Sequence, residues 1–97
     1  SSENLQKLNV NIDKISDHEL IVNLTMPDNN FIYFWEMGVK DQGVFNSLIQ
    51  FIRPKFNANE IKTQVILKNI EKIDAQNLVI KGYDYEGNIF QKIISLY

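Results

Sequence analysis

The chain has no cysteine. Disulfide stapling, thiolate nucleophiles and Cys-ligated zinc or iron are therefore excluded, although many extracytoplasmic domains manage without disulfides. Proline occurs twice and glycine four times, too few for a low-complexity linker. Histidine occurs once, so a histidine-rich metal site is excluded, and no serine–histidine–acid spacing surrounds the one present. The longest apolar runs are only a few residues, far short of a membrane-spanning helix. Neither charge sign dominates: ten basic and twelve acidic side chains give a net charge of −2. The basic residues are scattered singly from Lys7 to Lys92, whereas a protein gripping several phosphates concentrates them. Nucleic acid is not an expected partner. There is also no glycine-rich phosphate loop, HExxH or GxSxG motif, and no cofactor is expected.

What is present is an apolar content of 44% over 97 residues, enough for the core of one domain and unlike the composition of a disordered chain. The start, Ser1-Ser2-Glu3-Asn4, reads as a fragment of a longer polypeptide or a processed chain, so residues 1–97 are expected to be one domain of a larger protein.

Much of the sequence has the period of two that a half-buried strand requires. Lys7 to Ile12 alternates, Asp13 to His18 interrupts it, and Glu19 to Met26 resumes with Leu20, Val22, Leu24 and Met26 on one face. Pro27-Asp28-Asn29-Asn30 reads as a turn. Phe31 to Met37 is the most aromatic segment: Phe31, Tyr33, Trp35 and Met37 share one face, Ile32 and Phe34 the other, which predicts a central strand or a sheet covered on both sides. Lys40 to Gly43 is a second turn. Val44 to Ile52 fits either a short helix or a strand, and its β-branched and aromatic residues favour an edge strand. Asn57-Ala58-Asn59-Glu60 reads as a capped helical turn in a crossover, and Thr63 to Ile70 returns to strand. Two final strands, Leu78 to Tyr85 and Asn88 to Tyr97, flank Glu86-Gly87, which predicts a two-residue hairpin loop with glycine at its second corner.

A weak internal repeat aligns Ile12-Asp13-Lys14-Ile15 and Leu20-Ile21-Val22 with Ile70-Glu71-Lys72-Ile73 and Leu78-Val79-Ile80 at one common offset. It predicts two comparable three-strand blocks, each hiding its apolar face against the other. The expected fold is all-β: a two-sheet antiparallel sandwich of six to seven strands. The segments Phe31-Ile32-Tyr33-Phe34-Trp35 and Ile80 to Asn88 give it a resemblance to the Ig-like or fibronectin-like accessory modules of bacterial surface proteins. The Cys–Trp–Cys spacing of true Ig domains is missing, and such a likeness implies a fold and no activity. Trp35, Phe31, Tyr33, Leu20, Val22, Leu24 and Ile80 are the expected core.

Candidate sites are few. His18 sits in a turn without partners for catalysis. Asp84, Glu86 and Asp28 are weak calcium candidates, because oxygen-bearing residues surround Gly87, but the terminal bidentate glutamate of a calcium loop is absent. Turn carboxylates such as Asp84 and Glu86 also leave a small enzyme domain as a distant option. Asn23-Leu24-Thr25 matches the glycosylation sequon inside a strand. The aromatics carry the functional colour: Tyr83, Tyr85 and Tyr97, with Asn88, form the expected ligand or partner surface, since tyrosine serves both protein interfaces and sugar binding. The expected function is a non-catalytic docking or spacer module that contacts a protein or a neighbouring domain, without membrane insertion. With the Asn, Ile and Lys bias, the expected setting is the surface or secretions of a bacterium. A carbohydrate-binding module is the alternative, and an apolar outer face would also permit a homodimer.

Overall fold

The computed structural model of the chain describes residues 7–26, 32–52 and 61–97. Among them are seven strands: β1 (Asn9–Ser16), β2 (Glu19–Met26), β3 (Ile32–Asp41), β4 (Val44–Ile52), β5 (Ile61–Leu67), β6 (Asn77–Asp84) and β7 (Ile89–Ser95). They form two antiparallel sheets, one ordered β1-β2-β5 and the other β4-β3-β6-β7. This is the expected sandwich, Ig-like in its three-against-four arrangement. Val44 to Ile52 is strand throughout and lies at a sheet edge, as its β-branched and aromatic content favours. Phe31, Asp28, the Pro27 to Asn30 turn and the Asn57 to Glu60 cap lie outside the described residues.

The two sheets meet over one cluster that includes Leu20, Val22, Leu24 and Met26 from β2, Trp35 and Met37 from β3, and Leu78 and Ile80 from β6. Burying a side chain of this size removes about 1.5–3 kcal/mol of unfavourable hydration, and Trp35 is fully enclosed, its ring stacked on Phe51 with centroids 6.4 Å apart. Gly82 is part of that packing. A Cβ there would stand 2.8 Å from Cδ1 of Ile32, so the missing side chain is the space Ile32 occupies.

The sheets are not two consecutive blocks. β5 leaves the second half of the chain to pair with β2, while β3 and β4 join β6 and β7. The repeat is also not structural: Ile12 to Ile15 lies in β1, but the matching Ile70 to Ile73 leads into a 3-10 turn at Ile73–Ala75. Strand β5 ends at Leu67 rather than Ile70, because Asn69 adopts a left-handed φ of 61°.

One end of the sandwich is sewn together around that connection. Ile70 donates its backbone N–H to the His18 carbonyl at 3.0 Å, and His18 Nδ1 donates to the Ile70 carbonyl at 2.9 Å. Since a carbonyl only accepts, the ring proton in this contact sits on Nδ1. Lys14 pairs with Asp74 beside it. The histidine thus holds the β1–β2 turn against the β5–β6 connection.

Candidate functional site

The strand register sorts side chains onto the two outer faces. On the four-stranded sheet, Ile52 (β4), Phe34 (β3), Tyr83 (β6) and Ile89 (β7) form one transverse row. Gln50, Glu36, Lys81 and Gln91 form the next, and beyond it come Ser47, Gly38, Val79 and Ile93. The first row is apolar and open: Ile52 is 70% exposed and Ile89 51%.

A bulge in β3 makes this surface aromatic. Ile32 pairs with Asp84 and Phe34 with Tyr83, leaving Tyr33 as an extra residue. An unmatched residue shifts the parity of everything before it. Ile32 therefore turns into the core, and Tyr33 joins Phe34 on the outside. Tyr33 was an expected core residue, and the bulge is why it is not one. Its ring instead stacks on Tyr85, centroids 4.4 Å apart and planes within 10°. The series continues through Phe34, 6.4 Å from Tyr33, to Tyr83, which meets Phe34 edge-on at 5.4 Å. Offset stacks and edge contacts of this kind each add about 0.5–1.5 kcal/mol beyond their buried area.

Glu36 anchors the series. Tyr83 donates its hydroxyl to Oε1 at 2.9 Å, and Gln50 donates Nε2 to Oε2 at 2.8 Å. The Gln50 hydrogen bond, with those from Ser47 and Tyr83 and the nearby Lys81 charge, holds the Glu36 carboxyl below its ordinary range. Burial and the bond to Glu36 push the Tyr83 phenol up. Beyond this row the Phe45 ring lies across Gly38, where a Cβ would meet the Asn46 carbonyl oxygen at 2.0 Å and Phe45 at 2.9 Å. Lys81 Nζ sits 3.9 Å over the same ring, a cation–π contact.

The hairpin that carries Tyr85 differs from the expected one. Asp84 accepts from the Gly87 N–H at 3.2 Å and donates its own N–H to Asn88 O at 3.2 Å. Gly87 has φ 86°, while neither Tyr85 nor Glu86 has a positive φ. The loop is thus three residues, Tyr85-Glu86-Gly87, with glycine at a bulge position instead of a corner. The two-residue turn with positive φ at both positions is Gln42-Gly43, at 51° and 86°.

Asp84 and Asn88 are occupied in building this loop. Asp84 Oδ1 accepts from the backbone N–H groups of Glu86 and Asn88, and Oδ2 from the Asn88 side chain, each at 2.9 Å. These bonds, the Asn88 side chain first, lower the Asp84 carboxyl from its ordinary value. Asn88 is therefore a turn brace more than a free ligand residue. Among the described residues no group of three or more His, Asp or Glu side chains is placed to hold a metal ion.

Of the expected surface residues, the fold brings Tyr83 and Tyr85 together and sets Tyr97 apart. Ile89 pairs with Tyr83 while Ser95 pairs with Asn77 at the opposite end of β6, so Tyr97, 78% exposed, lies beyond the far end. Phe34, Glu36 and the outward-facing Tyr33 complete the site. A signal for Glu36 was available: a lone carboxylate amid Phe34 and Trp35 in an apolar strand needs partners.

Elsewhere, a groove of about 630 Å³ opens beside Val39, Val44 and Gln76. The Gln76 side chain is buried, with Nε2 donating to Glu71 O at 3.0 Å and Oε1 without a partner among the described residues.

No protein family profile matches the chain, and no curated protein matches it in sequence. Among solved structures, the sensor domain of the anti-sigma factor RsgI4 from Pseudobacteroides cellulosolvens is similar over 96% of this chain and 99% of that one, with 8% identity and a TM-score of 0.44. At that level the likeness bears on neither the site nor its chemistry.

Proposed function

We propose that the chain is a non-catalytic docking module, and that it holds a protein or a neighbouring domain against the outer face of the four-stranded sheet. The observation that carries this reading is the continuous aromatic series Tyr85, Tyr33, Phe34 and Tyr83, flanked by exposed Ile52 and Ile89. Contact cores are built from such residues: large rings with few rotatable bonds, held in advance, lose little entropy when covered. Glu36 preorders Tyr83 and the bulge preorders Tyr33. The module belongs, on this reading, to a larger secreted or surface-attached polypeptide.

Radical footprinting of the tyrosines, in the chain alone and within its parent polypeptide, tests this. Protection of Tyr33, Tyr83 and Tyr85 in the parent, with Tyr97 unchanged, is the expected result. Equal reactivity in the two settings would remove the proposal. A second reading, glycan binding, rests on the stacked Tyr33–Tyr85 pair beside the polar hairpin. It predicts that an oligosaccharide panel shifts the ring signals of Tyr85. Tryptophan fluorescence cannot report on either reading, because Trp35 faces the core.

A further inference from the structure

Among the described residues the sandwich has four edge strands, and three of them carry devices that discourage pairing with another chain. The β1 register is broken by a bulge at Ile15, between Lys14 and Ser16. That of β4 is broken at Leu48, since Met37 pairs with Ile49 and Gly38 with Ser47. Strand β5 presents an exposed lysine, Lys62. Bulges and edge lysines are the means by which sheets avoid unwanted extension.

Strand β7 has no bulge and no lysine on its outer face. It pairs with β6 through seven consecutive residues without a register shift. Its one charged side chain, Lys92, is engaged within the same chain, its Nζ donating to the Leu8 carbonyl at 2.8 Å. The outer-face residues of β7 are apolar at both positions flanking Gln91, with Ile89 and Ile93 half exposed.

The hydrogen-bond parity of the strand is settled at its two ends. Leu96 donates its N–H to the Gln76 carbonyl, and the Asn88 carbonyl accepts from Asp84. Even-numbered residues of β7 thus turn their backbone groups toward β6, and Ile89, Gln91 and Ile93 turn theirs to the other side, where no described strand pairs with them. Those three residues read the same in both directions about Gln91.

We infer that β7 pairs with β7 of a second copy of this chain, antiparallel and centred on Gln91. In that register Gln91 faces its own twin, and each Ile89 faces the other copy's Ile93. All three are hydrogen-bonded pairs, so the outward N–H and C=O groups are satisfied together with the side chains. Centring the two-fold one residue either way sets Ile89 or Ile93 against Gln91 and loses this match. A two-fold contact must be self-complementary, and this register alone sets isoleucine against isoleucine on both sides of the glutamine pair. The result is a continuous eight-stranded sheet in which the aromatic faces of both copies lie on one side. The pairing does not depend on the docking function proposed above.

The absence of cysteine makes the register directly testable. In an antiparallel hydrogen-bonded pair the Cα atoms are about 5.5 Å apart, within the range a disulfide spans. Gln91→Cys is expected to form a covalent dimer under mild oxidation, and Ile89→Cys alone is not. Ile89→Cys mixed with Ile93→Cys is expected to give the mixed dimer. Sedimentation of the unmodified chain should show mass rising with concentration, a rise that Ile93→Lys abolishes and Tyr85→Ala does not. A chain that stays monomeric into the millimolar range overturns the inference. So does a Gln91→Cys variant that cross-links no faster than Asn23→Cys on the opposite sheet, with circular dichroism confirming that each variant is folded.

Discussion

The two outer faces of this sandwich are built by the same alternation, yet they differ in every respect that matters for contact. On the three-stranded sheet the rows read Asn9, Thr25 and Lys62, then Asn11, Asn23 and Gln64, with Ile21 and Ile66 at one end. Gln64 donates to Asn23 at 3.0 Å, an amide pair that water could replace. On the four-stranded sheet the corresponding rows hold Ile52, Phe34, Tyr83 and Ile89, braced by Glu36. Both faces hide an apolar inner side, so stability alone requires nothing beyond the polar version. The aromatic face is an addition to what folding needs, and the docking proposal rests on that addition.

The sharpest way to break this comparison is at Gly38. Its missing side chain lets β4 and the Phe45 ring close over the sheet, and alanine there would collide with the Asn46 backbone at 2.0 Å. Backbone cannot step aside as a side-chain tip can. Gly38→Ala is expected to destabilise the fold by about 3 kcal/mol, at the upper end for overpacking. Urea unfolding would show it as a fall in midpoint at constant m-value. A loss below half of that would mean that β4 shifts easily and the aromatic face is not held in place.

How much of this was legible beforehand follows from the same contrast. The polar face and the core were readable, because Leu20, Val22, Leu24 and Met26 alternate without interruption. Strand β4 was readable through residue type. Tyr33 was misplaced because a bulge changes parity without changing composition. The Tyr85-Glu86-Gly87 loop was misjudged because glycine serves a corner and a bulge equally well, and only the Asp84 hydrogen bonds distinguish them. Tyr97 was grouped with Tyr83 and Tyr85 by residue type. Topology separates them, since β7 carries the chain the length of the sheet before reaching it. The repeat misled because strand and turn reuse the same few residues, while β5 crossing to β2 depends on contacts distant in sequence.

A smaller effect, visible in pH, belongs to the aromatic sheet. Asp84 and Glu36 have folded pKa values below their ordinary 3.8 and 4.5 because both accept hydrogen bonds in the native state. A depressed carboxyl contributes stability at pH above its ordinary value and loses it as pH falls through the lowered folded one. Stability should therefore decline as pH drops below about 4.5. Asp84→Asn should make the decline shallower, and Glu36→Gln should also bring the Tyr83 phenol part of the way back toward 10.0. Tyrosine titration by NMR checks the second point, and an unchanged Tyr83 would show that burial alone raises it.

The smallest expected effects divide the faces most cleanly. Tyr85 is 78% exposed, so Tyr85→Ala forfeits little burial and loses chiefly its stack on Tyr33, about 1 kcal/mol. Asn23→Ala removes one exposed amide pair from the polar face and should change stability by about 0.5 kcal/mol or less. The two variants should nevertheless separate widely in contact with a partner. Removing a ring that is held in position before docking should cost far more affinity than stability, whereas Asn23→Ala should cost neither. If both variants bind alike, the aromatic series is surface ornament left by packing, and the difference between the faces has no bearing on function.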